Sequence, residues 1–152
     1  MDAQPNAAAL SAAKRLLEQG IGFVKNAGLE VEHLARGEVR CRMPFAGNSN
    51  HIGTMYAGAL FTLAEIPGGA LFLSSFDTAR FFPIVKTLQL KFIKPAKSDI
   101  WTTAVLGTEE IKRIELDAMV NGKADFELNL ELKDSAGVVV ALSEGIYQLR
   151  RI

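Results

Sequence analysis

NSNHIGTMYAGALFTLAEIPGGALFLSS, residues 48–75, is the stretch around which the rest of the chain is organised. From Gly53 to Phe76 it carries one formal charge, Glu65, among apolar and small residues. An ionised carboxylate is costly to bury unless it is paired or hydrogen-bonded, so a lone Glu in such a run needs a reason. Thr54 is placed to cap a helix, its hydroxyl accepting from a backbone N–H one turn on. Tyr56, Ala57 and Gly58 then fall in the first turn, where unpaired amides and the helix dipole favour developing negative charge. Gly58 and Glu65 share a face, roughly 10 Å apart along the axis. One buried helix thus offers oxyanion-type donors at its start and a carboxylate two turns later. The run is also long enough to cross a membrane. Glu65, Pro67, the Gly68-Gly69 pair and the lack of cationic flanks argue instead for a core helix.

The 152 residues suffice for one domain with one core, read as an N-terminal helix (residues 1–24) leading into a core (residues 25–152). Formal charges cancel to zero, which gives no footing for a nucleic-acid or anionic-membrane partner. Cys41 is the only cysteine, so no internal disulfide forms and a reducing compartment fits. Two His and one Cys, widely spaced, make no zinc pattern, and neither metal nor cofactor is expected. The first residues lack the basic and apolar regions of a secretion signal, so a soluble cytoplasmic protein is the expectation.

Around the central run the periodicities are clear. Residues 1–6 read as a frayed end. Leu10, Ala13, Leu16 and Leu17 recur at helical spacing over residues 7–19, and Gly20 closes that helix. Leu29 and Val31, then Val39, Cys41 and Met43, alternate with charged residues on either side of an Arg36-Gly37 turn. Pro44 ends this hairpin, and the polar cluster of residues 47–51 makes a loop into the central helix. Residues 77–82 read as a connection. Leu88, Leu90 and Phe92 alternate with Thr87, Gln89 and Lys91 as a half-buried strand stopped at Pro95. Ile100, Thr102, Ala104 and Leu106 suggest a further strand; residues 109–120 have weak helical spacing ended by Asn121-Gly122. Phe126, Leu128, Leu130 and Leu132 give the cleanest alternation, turned back by residues 134–137 into a last strand over 138–149.

Strand-rich segments with one very apolar helix imply an α+β architecture, an antiparallel sheet wrapped around that helix. A helix apolar on all sides must be covered on all sides, and one curved sheet covers only part of it. The remainder is expected to meet a second copy, giving a homodimer or a homotetramer built from two dimers.

The element order, the Asn50-to-Glu65 motif and the run Phe92-Ile93-Lys94-Pro95-Ala96 resemble the hotdog-fold acyl-CoA thioesterases, particularly the phenylacetate-type group and its uncharacterised relatives. The family's run is an Asn, five residues, His-Gly-Gly, six residues, and an Asp or Glu. Here Asn50 matches the Asn, Tyr56-Ala57-Gly58 stands at His-Gly-Gly, and Glu65 matches the acid. The resemblance implies hydrolysis of an acyl-CoA. The amide of Ala57 would polarise the thioester carbonyl, and Glu65 from across a dimer interface would act as base or nucleophile. Tyr56 replaces the motif His, and Ala57 replaces a Gly that lets substrate approach the backbone closely.

As site residues the sequence therefore offers Glu65, Asn50, Ala57 and Gly58 for catalysis. Asn50 either orients water or thioester or simply caps its loop. His51 and Tyr56 stand beside them as substrate contacts or as plain loop polarity and packing. By count a hydroxyl used by some relatives falls at Val85, with Thr87 the nearest substitute. Arg80, Lys94 and Lys97 could meet the phosphates of CoA, or be ordinary solvated charges. Two other functions remain open. One is a hydratase or dehydratase of acyl thioesters using His51 and Glu65, although the Phe-Pro-Gly turn expected after the His is replaced by Ile52-Gly53. The other is a non-catalytic module that binds acyl-CoA.

Overall fold

The computed structural model describes residues 4–152. Of the frayed end expected over residues 1–6, residues 1–3 lie outside the described part. Asn6 is the N-cap of the first helix, its Oδ1 accepting the Ala9 N–H at 2.8 Å. That helix, α1, is Ala7–Gln19, and it packs Ala13 and Leu17 inward. A second helix, α2, Gly22–Ala27, was not legible in the sequence. It is six residues long, too short to display a helical period, and Gly28 at φ 78° ends it.

The hairpin follows as β1 (Glu30–Ala35) and β2 (Glu38–Met43), then the central helix α3 (Ala57–Ser75). After it come β3 (Phe81–Phe92), β4 (Ile100–Val105), α4 (Thr108–Asn121), β5 (Lys123–Lys133) and β6 (Val139–Arg151). Residues 77–82 are only partly a connection, because β3 already begins at Phe81. The six strands form one antiparallel sheet in the order β1-β2-β4-β5-β6-β3, leaving β1 and β3 as edges. Strict alternation in β5 puts Phe126, Leu128, Leu130 and Leu132 on the core face and charged residues outside.

The concave face of the sheet holds α3. The helix meets the length and apolarity of a membrane span, but two-thirds of that window is buried within the protein. Its C-terminal end is tied down by the β1–β2 turn: Arg36 donates to the Ser75 carbonyl and the Gly37 N–H to Ser75 Oγ, both at 2.9 Å. Gly37 has φ 76°, and a Cβ there would run into the Leu106 carbonyl, so the turn requires glycine.

Against β6 the helix approaches closely at Gly68, where any Cβ would land on the Tyr147 ring. Tyr147 in turn stacks on Phe126, with ring centroids 5.6 Å apart. Gly68→Ala is therefore expected to destabilise the chain by about 1–3 kcal/mol through overpacking, read as a lowered urea midpoint. An unchanged midpoint would mean that Tyr147 moves aside freely.

The sheet leaves one stripe of α3 uncovered. Phe61, Glu65, Gly69 and Leu73, spaced four apart, are its exposed or half-exposed positions in the interior of the helix. The core face of edge strand β3 lies next to it in the fold, with Val85 and Phe92 exposed and Leu88 and Leu90 half-buried. An apolar helix stripe and a twelve-residue unpaired strand edge therefore stand open together.

Candidate active site at the start of the central helix

The loop into α3 is held by asparagines. Asn48 Nδ2 donates to the carbonyls of Ala27 at 2.7 Å and Pro44 at 2.8 Å, and the Asn48 carbonyl accepts the Tyr56 N–H at 2.8 Å. Asn50 Oδ1 accepts the N–H groups of Ile52 and Thr54, each at 3.0 Å, while its Nδ2 donates to Thr54 Oγ1 at 2.8 Å. Asn50 thus builds the turn; its side chain is engaged within the loop.

This corrects the expected helix start. Thr54 is not the N-cap, because its hydroxyl already serves Asn50. Tyr56 occupies the N-cap position without a side-chain cap, and its own N–H is taken by Asn48. The first-turn donors are the amides of Ala57 and Gly58, neither of which has an acceptor among the described residues. Without a capping oxygen these N–H groups remain available to an anionic or carbonyl oxygen.

The helix start opens on a groove of about 340 Å³ lined by Asn50, Met55, Ala57, Leu60, Phe92 and Lys94, among others. Its two walls are joined by the Met55 N–H donating to the Ala96 carbonyl at 2.7 Å. The Tyr56 ring lies over Gly58, where a Cβ would otherwise stand. His51 is exposed in the turn leading to the helix, and Lys97 is exposed one residue beyond Ala96.

Glu65 lies two turns along, on the uncovered stripe, and is half-buried. Burial raises the pKa of its carboxyl, and no hydrogen bond or cation among the described residues counteracts it. Its backbone carbonyl accepts the Tyr147 hydroxyl at 3.4 Å. Tyr147 is itself pushed up, first by burial and then by the charge of Glu65. Sequence reading missed Tyr147 as a neighbour of the site. It lies far along the chain on β6, which packs against the helix at Glu65 and Gly68.

Two predicted contacts do not belong to this groove. Thr87 sits opposite Ile146 on the outer face of the sheet, turned away from α3. A β-bulge between Val85 and Thr87 is the cause: Val85 pairs with buried Tyr147, and the extra residue carries Thr87 to the other side. Arg80 lies past the opposite, C-terminal end of α3, where it donates to Met119 Sδ at 2.8 Å and stacks over Phe81. It cannot join Lys94 around one ligand within a single chain, since the helix between them spans roughly 28 Å at 1.5 Å per residue.

Comparison with known proteins places the chain. Residues 10–147 match the family described as a domain of unknown function, DUF4442. The chain is similar to a Pseudomonas aeruginosa protein of known structure, described as of unknown function and a probable thioesterase. Identity is 56% over 93% of this chain and 95% of that one, with a TM-score of 0.91. A Chlorobaculum tepidum protein of unknown function shares the fold at 18% identity, covering 94% of each chain, with a TM-score of 0.82. A mutant thioesterase from Pseudomonas aeruginosa does so at 16% identity, covering 97% of this chain and 96% of its own, with a TM-score of 0.71. No curated protein matches. With a family match over residues 10–147 the chain belongs to the DUF4442 family, and its six-stranded antiparallel sheet wrapped on α3 is the hotdog fold.

Proposed function

We propose that the protein is an acyl-CoA thioesterase that works as a homodimer. The observation that carries this reading is Glu65, a carboxylate raised in pKa by burial and without a partner among the described residues, on an otherwise apolar stripe. The similarity to a probable thioesterase at 56% identity supports it. In this mechanism the thioester carbonyl oxygen lies against the amides of Ala57 and Gly58, which stabilise the negative charge that develops on it. A carboxylate takes a proton from water, whose oxygen bonds to the carbonyl carbon. The C–S bond then breaks, and the proton passes to the departing thiolate sulfur, leaving free acid and CoA. Lys94 and Lys97 meet the CoA phosphates at the groove mouth.

Ala57 and Glu65 of one chain are eight residues apart, roughly 12 Å along the axis, too far to act on one carbon. The base is therefore Glu65 of the partner subunit, brought in when two copies pair through the open β3 edge and the α3 stripe. Sedimentation at micromolar concentration is expected to give twice the chain mass or a multiple of it. A stable and active monomer would defeat the shared site. The direct test of function is a thiol-release screen with short, long and aromatic acyl-CoAs; turnover with none of them would overturn the reading.

A further inference from the structure

The core face of β6 carries three small side chains in a row. Burial alternates along this strand, with Leu142, Glu144 and Ile146 turned outward and Ala141, Ser143 and Gly145 inward. The flanking strands put large residues beside them, so that Ser143 stands between Leu90 of β3 and Leu130 of β5. The row starts at the groove, because Ala141 pairs with Phe92, which lines it. It closes at Gly145, where a Cβ would meet the Tyr147 ring at 2.7 Å and Leu88 Cδ1 at 3.2 Å. Leu88 and Leu90, both half-buried on the edge strand, stand between the row and the open side of the sheet.

Ser143 is 2% exposed, and its Oγ has no hydrogen-bond partner among the described residues. Buried hydroxyls nearly always have one, since burial removes their bonds to water. The other buried hydroxyls follow that rule. Thr62 donates to the Gly58 carbonyl at 2.8 Å, Thr102 to the Glu131 carbonyl at 3.0 Å and Ser74 to the Leu71 carbonyl at 3.3 Å, while Ser75 accepts the Gly37 N–H. Packing alone would be served as well by alanine at position 143. A ligand oxygen in the row gives the hydroxyl the partner that the fold withholds.

We infer that Ser143 determines specificity by hydrogen-bonding an oxygen on the far part of a short acyl group laid over Ala141 and Ser143. The inference rests on the thioesterase reading and narrows its substrate to acyl thioesters with a hydroxyl or oxo group away from the thioester carbon. The acyl group turns Leu88 and Leu90 aside to enter, and the Tyr147 ring over Gly145 ends its path. Ser143 lies two residues beyond Ala141, roughly 7 Å along the strand. An oxygen beside the thioester carbon stays at the groove, whereas one toward the end of a six-carbon chain reaches Ser143.

The experiment compares kcat/KM for hexanoyl-, 3-hydroxyhexanoyl- and 5-hydroxyhexanoyl-CoA in the wild type and in Ser143→Ala. The wild type is expected to prefer the 5-hydroxy substrate over hexanoyl-CoA by about tenfold, and the variant to lose that preference while still hydrolysing hexanoyl-CoA. Melting temperature should hold or rise in Ser143→Ala, because the substitution removes a hydroxyl that bonds to nothing in the fold. A fall of several degrees would reveal a structural partner and overturn the inference. So would equal rates on the three thioesters, a preference for the 3-hydroxy isomer, or a 5-hydroxy preference that survives in the variant. Titration calorimetry with the thioethers S-hexyl-CoA and S-(5-hydroxyhexyl)-CoA reads the same contact without turnover. If none of the thioesters is hydrolysed, the thioesterase reading falls, and the calorimetry still decides the role of Ser143.

Discussion

Glu65→Gln is expected to lower thioester turnover by at least about 100-fold, the scale of lost acid–base catalysis, while preserving the fold. The amide keeps the shape and removes the charge, so substrate binding should change far less than kcat. His51→Ala, on the exposed turn, should cost much less; equal large losses at both positions would favour the hydratase reading. Two pH effects follow from the raised pKa of Glu65. As a base it must be ionised, so the acid limb of kcat/KM in the wild type should lie above the ordinary carboxyl value of 4.5. Stability runs the other way. A carboxyl that holds its proton more tightly when folded contributes stability below the unfolded pKa, and that contribution is lost as pH rises through the folded pKa. Melting temperature against pH should therefore fall less across the mildly acidic range in Glu65→Gln than in the wild type. An activity profile with its acid limb at the ordinary value would mean that Glu65 is not the base.

Ala57→Pro should cut turnover by about 10²–10³, the scale of one lost oxyanion donor, and leave the fold intact. Ala57 is the first helical residue, its N–H has no acceptor among the described residues, and proline is well accommodated there. Tyr56 before it, at φ −58° and ψ 137°, already has the extended backbone that a following proline demands. The substitution thus removes a donor without removing a structural hydrogen bond. Ala57→Gly keeps the donor and deletes a methyl at the groove wall, so turnover should hold or rise, most for bulky acyl groups. It costs up to about 1 kcal/mol of stability, and less at a helix start than in mid-helix. Steady-state hydrolysis of both variants, with circular dichroism as the folding control, separates the outcomes. Wild-type turnover in folded Ala57→Pro would remove the helix start from the mechanism.

Much of the fold was local and therefore legible. An apolar run of helix length makes α3 whatever surrounds it, and alternation over residues 126–132 admits only a half-buried strand. The isolated charge of Glu65 was visible for the same reason, because its neighbours in sequence are its neighbours on the helix. What the sequence left open depended on partners distant along the chain or on small changes of register. The cap at Thr54 was plausible by residue type, but Asn50 claimed the hydroxyl and moved the first free amides to Ala57 and Gly58. Thr87 had the right chemistry on the wrong face, since one bulged residue inverts the side on which a strand presents it. Arg80 counted as a cation near the site until the length of α3 set it at the other end. Periodicity was enough for the longer elements but not for α2, too short to show a helical period, and the lone carboxylate stood out by its apolar neighbours. The groove, the open β3 edge and the faces that side chains share came from long-range pairing, which no local pattern encodes.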